Sequence, residues 1–452
     1  MERLPEKFML AMKKQLPEHE WEAFFDVYKK PPYKGVRFNP LKGGRYALNL
    51  LSPLLQAPVP WEENGYYTSE NKLGASPYHF AGLFYSQEPS AMLAAPLLEA
   101  QKGERVLDLC SAPGGKGTQL AAAMQGEGLL VLNEPVFSRA KILLQNVERM
   151  GVKNAVVLSE LPEKLSEKFA GYFDKILVDA PCSGEGMFRK NADEALAEWS
   201  EENVIQCAVR QKYILEEATK MLRAGGRLVY STCTFSLPED EGQVRQYLKN
   251  HPRMVLRRTE KIYPHTGRGE GHFAAVFDKR TDEEIPPELA NKMPQENVAH
   301  VKPFKPFISR ETEKAVRAFE RDFFKTSVLK NLHEVNGALY ALPEGMFEFK
   351  GLQVLRVGVK VGEMKNGRFE PHHALIMSAR AEECKRTLNL SETDARVEKY
   401  LHGETVECDL ENGWCAVCIE GITMGLGKAV NGTLKNHLPK ALRANAIVKR
   451  EI

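Results

Sequence analysis

Between Arg105 and Lys279, short apolar runs alternate with amphipathic stretches, and this alternation constrains the fold more than any other feature of the chain. RVLDLC (105–110), GLLVLNE (128–134), AVVLSE (155–160), FDKILVDAP (173–181) and GGRLVYSTCT (225–234) read as strands, with FAAVFDK (273–279) as a late one. TQLAAAM, FSRAKILLQNVERMG and the stretch 202–223 read as helices. Strands apolar at nearly every position must be covered on both faces, and parallel strands need long crossovers, usually helical. The pattern therefore predicts an α/β domain with a mostly parallel sheet between helices.

At 452 residues the chain exceeds one ordinary domain. The expected division is an N-terminal segment (1–75), helical and then broken at Pro31-Pro32, Gly43-Gly44 and Asn64-Gly65, followed by the α/β domain (76–282). A Pro-, Lys- and Glu-rich linker (283–307), an intermediate region (308–382) and a small β-rich module (383–452) follow. No apolar run approaches the roughly 18–20 residues of a membrane span, and the N-terminus lacks a signal peptide's apolar middle, so a cytoplasmic protein is expected. The net charge of +2 singles out no partner. From Lys428 onward, however, Lys428, Lys435, Lys440, Arg443, Lys449 and Arg450 face one acid, Glu451. Such a tail suits phosphate contact or is simply a solvated surface. Eight irregularly spaced cysteines make no disulfide framework. Cys415 and Cys418 form a C-x-x-C, but a strand sends residues three apart to opposite faces, which favours buried small residues over zinc or redox chemistry.

The chemistry-bearing residues fall at strand ends. Cys110-Ser111-Ala112-Pro113-Gly114-Gly115-Lys116 follows the first strand as a glycine-rich turn into a helix, which lets backbone approach a nucleotide-like ligand. Glu134 ends the second strand, where an acid would hold both hydroxyls of a ribose. The turn is neither G-x-x-x-x-G-K-[ST] nor G-x-G-x-x-G, which disfavours ATP and NAD. Asp179 and Cys182 end the fourth strand and Cys233 the fifth. Ligands of open α/β sheets bind beyond those ends, so these sites point at one crevice. Two thiols there suit methylation of a pyrimidine at carbon 5, an atom too weakly nucleophilic to attack a methyl sulfonium directly. A thiolate adding to carbon 6 builds electron density at carbon 5, and a base then removes the carbon 5 proton. A thiol near its ordinary pKa of about 8.5 needs a cation such as Lys116, or a helix N-terminus, to become that thiolate.

DLCSAPGGKG, LNEP, DAPCSGEG and STCT, in this order and spacing, resemble the NOL1/NOP2/Sun family of RNA cytosine-5 methyltransferases. RFNPLK (37–42) and YSQEPSAM (85–92) are similar to that family's upstream segments, although Pro40 stands where a Thr is common. GWCAVCIEGITMGLGKAVNGTLKNHLPKALR resembles the PUA-like RNA-binding module that ends the bacterial RsmF-type 16S rRNA methyltransferases. The resemblance implies a Rossmann-like class I fold with a seven-stranded sheet, S-adenosylmethionine as cofactor and no metal. It makes Cys233 the nucleophile and Cys182 the residue for product release. Cys110 to Lys116, Glu134 and Asp179 then line the cofactor, with Asp179 also facing the target cytosine and Glu160 a candidate for the adenine amine. The Pro181-Cys182 dipeptide has the form of the DNA cytosine-5 nucleophile, but the flanking segments favour Cys233.

The target base must come from a loop or be flipped out. Arg37, Asn39 and Lys42, with Lys29, Lys30 and Lys34, are expected to grip phosphate, as are Lys435 and Arg443. Phe188, Arg189 and Lys190 are expected beside the flanking nucleotide. The expected partner is 16S rRNA or the small ribosomal subunit, bound by a monomer. The same chemistry on tRNA, or a non-catalytic ribosome-assembly factor, are the competing readings.

Overall fold

A computed structural model describes residues 4–286 and 298–443, so part of the expected linker, and Lys449 and Arg450 of the basic tail, lie outside the described residues. The N-terminal sheet has three antiparallel strands, β1 (Gly35–Phe38), β2 (Gly65–Tyr67) and β3 (Phe84–Ser86), with β1 in the centre, and β3 lies beyond the expected boundary at residue 75 because it pairs with β1.

The central sheet begins with β4 (Arg105–Asp108), β5 (Leu129–Asn133), β6 (Ala155–Leu158), β7 (Phe173–Asp179) and β8 (Leu222–Thr232), all parallel. β9 (Met254–Ile262) and β10 (His272–Lys279) complete one side, with β10 antiparallel to both β8 and β9. Alternate side chains of each strand enter two separate apolar clusters. Leu107, Val131, Val156 and Ile176 pack on one face, and Val106, Leu130, Val157 and Leu177 on the other. This two-sided burial is what near-continuous apolar strands demand.

Downstream, β11 (Leu332–Val335), β12 (Ala338–Ala341), β14 (Val359–Lys365) and β15 (Arg368–Pro371) build an antiparallel sheet, but β13 (Val354–Val357), between them in the chain, leaves it. β13 pairs antiparallel with β6, so the central sheet has eight strands in the order β13-β6-β5-β4-β7-β8-β10-β9, not the expected seven. Two strands escaped the sequence reading for physical reasons. β9 is an edge strand whose Arg257, Arg258, Thr259 and Glu260 are exposed, so it lacks an apolar run. β13 is four residues long and is held by pairing with a strand 200 residues earlier.

The last module contains β16 (Thr387–Leu390), β17 (Val406–Glu407), β18 (Gly413–Ile419), β19 (Ile422–Val430) and β20 (Thr433–Asn436). Cys415 and Cys418 of β18 are fully buried in different clusters, as opposite-face residues of a strand. The cluster holding Cys415 also contains Val36, Phe38, Ala47, Leu51 and Leu83, so the N-terminal segment and the C-terminal module share one core. Among the described residues, no helix is long and apolar enough to cross a membrane.

Candidate active site

Parallel pairing aligns the carboxyl ends of β4, β5, β6, β7 and β8 on one rim, and the site is built there. Asp108 ends β4 fully buried. Its Oδ2 accepts from Ser111 Oγ at 2.8 Å, while Oδ1 has no hydrogen-bond partner among the described residues. Burial pushes this carboxyl up to about 7, against the Ser111 hydrogen bond. The chain then turns through Gly114, at φ +111°, into the helix Gly115–Ala123. Left-handed backbone favours glycine there. At Gly117 a Cβ would come within 2.6 Å of Ser111 Oγ and 2.8 Å of Leu132 Cδ2, so the helix lies tightly on the sheet. Burial, with Asp108, Asp179 and Glu134 nearby, raises the Cys110 thiol well above its ordinary range, which argues against nucleophilic use.

Glu134, just past β5, is 2% exposed; its Oε1 accepts from the Val136 amide at 3.1 Å, and Arg139 lies 3.5 Å from Oε2. Glu160, just past β6, reaches the same rim, but its Oε1 is taken by Lys164 Nζ and the Gln353 amide. Asn133, which the sequence reading passed over, fastens the rim: its Nδ2 donates to Leu109 O and Glu160 O, and its Oδ1 accepts from the Glu160 amide.

Asp179 ends β7. Its Oδ2 accepts from Lys116 Nζ at 2.8 Å and its Oδ1 from Ser231 Oγ at 2.8 Å, with 30% of the side chain still exposed. Burial would raise this carboxyl, but the Lys116 charge and the hydrogen bonds from Lys116 and Ser231 outweigh it and hold the group below the usual carboxylate range. Burial likewise opposes the Lys116 charge, and Asp179, its hydrogen bond and Cys233 reverse the effect, so the ammonium is held above its ordinary value.

The Sγ atoms of Cys182 and Cys233 are 3.2 Å apart, and the Cys233 amide lies 3.3 Å from Cys182 Sγ. The hydrogen bond to Cys233, with burial, raises the Cys182 thiol well above its ordinary range. The two cysteine loops are braced by Glu239, whose carboxylate accepts from the Ser183 amide, Ser183 Oγ and Gln211 Nε2. Ser183 Oγ also meets Thr234 Oγ1 at 3.0 Å, and the Gly186 amide donates to Cys233 O at 2.9 Å. Glu239 lies in a polar turn without a motif of its own, so spacing gave no signal for it.

The structure corrects the expected RNA contacts at Arg37, Asn39, Lys42, Phe188 and Arg189, whereas Lys29, Lys30 and Lys190 are exposed as expected. Arg37 is 2% exposed and donates to Gln87 Oε1, Gly115 O and Thr118 Oγ1, so it holds the glycine turn. Asn39 is 1% exposed and bonds Gly82 O and Met150 O. Lys42 is buried against Met377 O and the Thr423 hydroxyl and carbonyl. Arg189 forms a buried ion pair with Glu270 at 2.6 Å, and Phe188 packs in an aromatic cluster with Phe8 and Trp199. Each is an interior polar group or ring with partners far away in sequence, not a free phosphate grip. Arg443 is half-buried against Gly403 and the Leu438 carbonyl. Lys435 is exposed, and it pairs across the sheet with Lys428, whose ammonium lies 5.0 Å from the Trp414 ring centroid.

This sheet, with a glycine turn, a buried acid and two thiols on its carboxyl rim, defines an S-adenosylmethionine-dependent methyltransferase domain. It is similar to the crystal structure of a methyltransferase homolog protein from Pyrococcus horikoshii, at TM-score 0.52 and 27% identity over 59% of this chain and 92% of that one. A structure of NSun6 from the same organism, at 22% identity, TM-score 0.56 and 62% and 100% coverage, shares the fold. The chain belongs to the 16S rRNA methyltransferase RsmB/F family, whose model matches residues 95–278. The N-terminal domain of RsmF matches 4–89, the first C-terminal domain of RsmF rRNA methyltransferase matches 318–378, and the RsmF PUA domain matches 387–444. The ribosomal RNA small subunit methyltransferase F of Aliivibrio fischeri is 32% identical over 97% of both chains.

Proposed function

We propose that this chain methylates carbon 5 of a cytosine in 16S rRNA, in the cytoplasm, through a covalent adduct between Cys233 and carbon 6. The observation that carries the reading is the pair of thiols 3.2 Å apart on the rim that also holds the Lys116–Asp179 ion pair. The residues present fit S-adenosylmethionine. The buried Asp108 Oδ1, unpartnered among the described residues, suits the cofactor's ammonium, Glu134 suits the ribose hydroxyls, and the turn from Cys110 through Ser111, Ala112, Pro113, Gly114 and Gly115 would pass along the cofactor. The bound cofactor supplies the methyl group as a sulfonium. Lys116 favours the Cys233 thiolate, which adds to carbon 6 while ionised Asp179 accepts from the cytosine's exocyclic amine. Carbon 5 takes the methyl group. Its proton then leaves to a base, and the electrons of that bond expel Cys233 as thiolate. Cys182 suits the base only as its thiolate, so it must release its own proton to solvent before it takes the one from carbon 5. The largest cause of its raised pKa is the hydrogen bond to Cys233, and that bond is lost once Cys233 is bonded to carbon. Exposed Lys435 would contact phosphate.

The test is tritium transfer from labelled S-adenosylmethionine to 16S rRNA and small subunits, with the product nucleoside identified by mass spectrometry. Cys233→Ala is expected to abolish both transfer and adduct. Cys182→Ala is expected to accumulate a protein–RNA adduct that survives denaturing gels. Adduct lost in Cys182→Ala but kept in Cys233→Ala would reverse the two roles.

A further inference from the structure

His272 opens β10 one step beyond the paired Phe273 and Thr232, at the rim where the chain leaves β8 for Cys233. Asp179 is paired with Ser231 on the next strand over, so Asp179, Ser231 and His272 come from three adjacent strands. The His272 side chain is 1% exposed, and neither ring nitrogen has a hydrogen-bond partner among the described residues. Its Nε2 lies 3.8 Å from Asp179 Oδ1, the oxygen that already accepts from Ser231. The ring is not free to withdraw. Gly271 before it sits at φ +137°, a Cβ there would come within 2.3 Å of Phe235, and its amide donates to Ser90 Oγ at 3.2 Å.

A buried imidazole with both nitrogens unpaired is unfavourable, and buried polar groups in native proteins are nearly always bonded. Catalytic hydrogen bonds that are long in the ligand-free protein commonly tighten when substrate binds. We propose that His272 is a positioning residue for Asp179, whose Nε2–H closes onto Oδ1 when the target base enters and fixes the carboxylate against the base's amine. This rests on the reading that Asp179 faces the target cytosine. Histidine suits the task because burial and the nearby Lys116 push its imidazole down to about 3, leaving it neutral. A neutral donor can hold Asp179 without competing with Lys116 as a second cation would.

The experiment compares His272→Leu, which keeps bulk and loses the donor, with His272→Gln, which keeps an N–H. Steady-state tritium transfer from S-adenosylmethionine to 16S rRNA is measured on the full chain. Calorimetric cofactor binding and melting temperature report the fold. The Leu variant is expected to lose about tenfold in kcat, as for one hydrogen bond to a charged group, with KM for RNA unchanged; Gln restores kcat to within about threefold. A Leu variant with wild-type kcat, or a Gln variant as impaired as Leu at an unchanged melting temperature, overturns the proposal. If the Leu variant does not fold, His272→Asn, whose shorter amide falls short of Oδ1, is read in the same way. Tritium counts do not depend on which atom is methylated, so nucleoside identity tests the cytosine reading separately.

Discussion

Lys42 carries its ammonium into the contact between the N-terminal segment and the C-terminal region, where Met377 O and Thr423 receive it. Burial pushes its pKa from 10.5 down to about 7, with Lys153 and Arg149 adding to the effect and Cys418 opposing it. The folded protein therefore holds this proton less tightly than the unfolded chain. Between about pH 7 and 10.5 the unfolded state binds more protons, so stability rises with pH across that window and levels off above it. Taking folded and unfolded values of about 7 and 10.5, the gain between pH 7 and 10 is about 3.5 kcal/mol. Lys42→Met keeps the apolar stem and removes the titrating group. Urea unfolding of both proteins across this range should show wild type gaining about 3.5 kcal/mol on the variant as pH rises. Other lysines and tyrosines titrate in both proteins and cancel in the difference. Parallel curves for the two proteins would refute the reasoning, because they would mean that the buried ammonium keeps its proton as firmly folded as unfolded.

Arg37→Met removes the donor to Gly115 O, so the glycine turn should loosen and cofactor Kd by calorimetry should rise about tenfold, with RNA binding little changed. Glu239→Gln weakens the brace between the two cysteine loops, and adduct formation should slow by about tenfold at unchanged cofactor affinity, read by gel shift of denatured complexes. Lys435→Ala should lower RNA affinity and make the slope of log K against log salt shallower by about one, with kcat at saturating RNA unchanged.

The rim of the site was legible because parallel strands deliver their carboxyl ends to one edge whatever the loops do. Asp179, Cys182 and Cys233 needed only the strand assignments to be brought together. The charges of RFNPLK were legible too, but not their surroundings. Arg37 finds Gly115 and Thr118 about eighty residues on, and Lys42 finds Thr423 at the far end of the chain. A cation reads alike whether it meets phosphate or a buried carbonyl, so local sequence favoured the commoner, exposed case. Asn133 and His272 left a fainter signal, each a polar residue at the rim end of an otherwise apolar strand, LLVLN and HFAAVF. Glu239 and the edge strands β9 and β13 left none, because their stabilisation comes from partners rather than from their own pattern.

On the proposed mechanism, Lys116 answers to two anions: Asp179 at 2.8 Å, and the Cys233 thiolate whose charge also raises it. Forming the thiolate draws the ammonium away from Asp179, and a buried carboxylate left short of donors would take up a proton instead. Ser231 already donates to that carboxylate, and His272 stands ready as a further donor that brings no charge. Activation of the nucleophile and orientation of the base are thereby coupled through one ammonium. Lys116→Met should therefore depress adduct formation more than either His272→Leu or Ser231→Ala. Each of those removes one donor from Asp179 and leaves the cation beside Cys233.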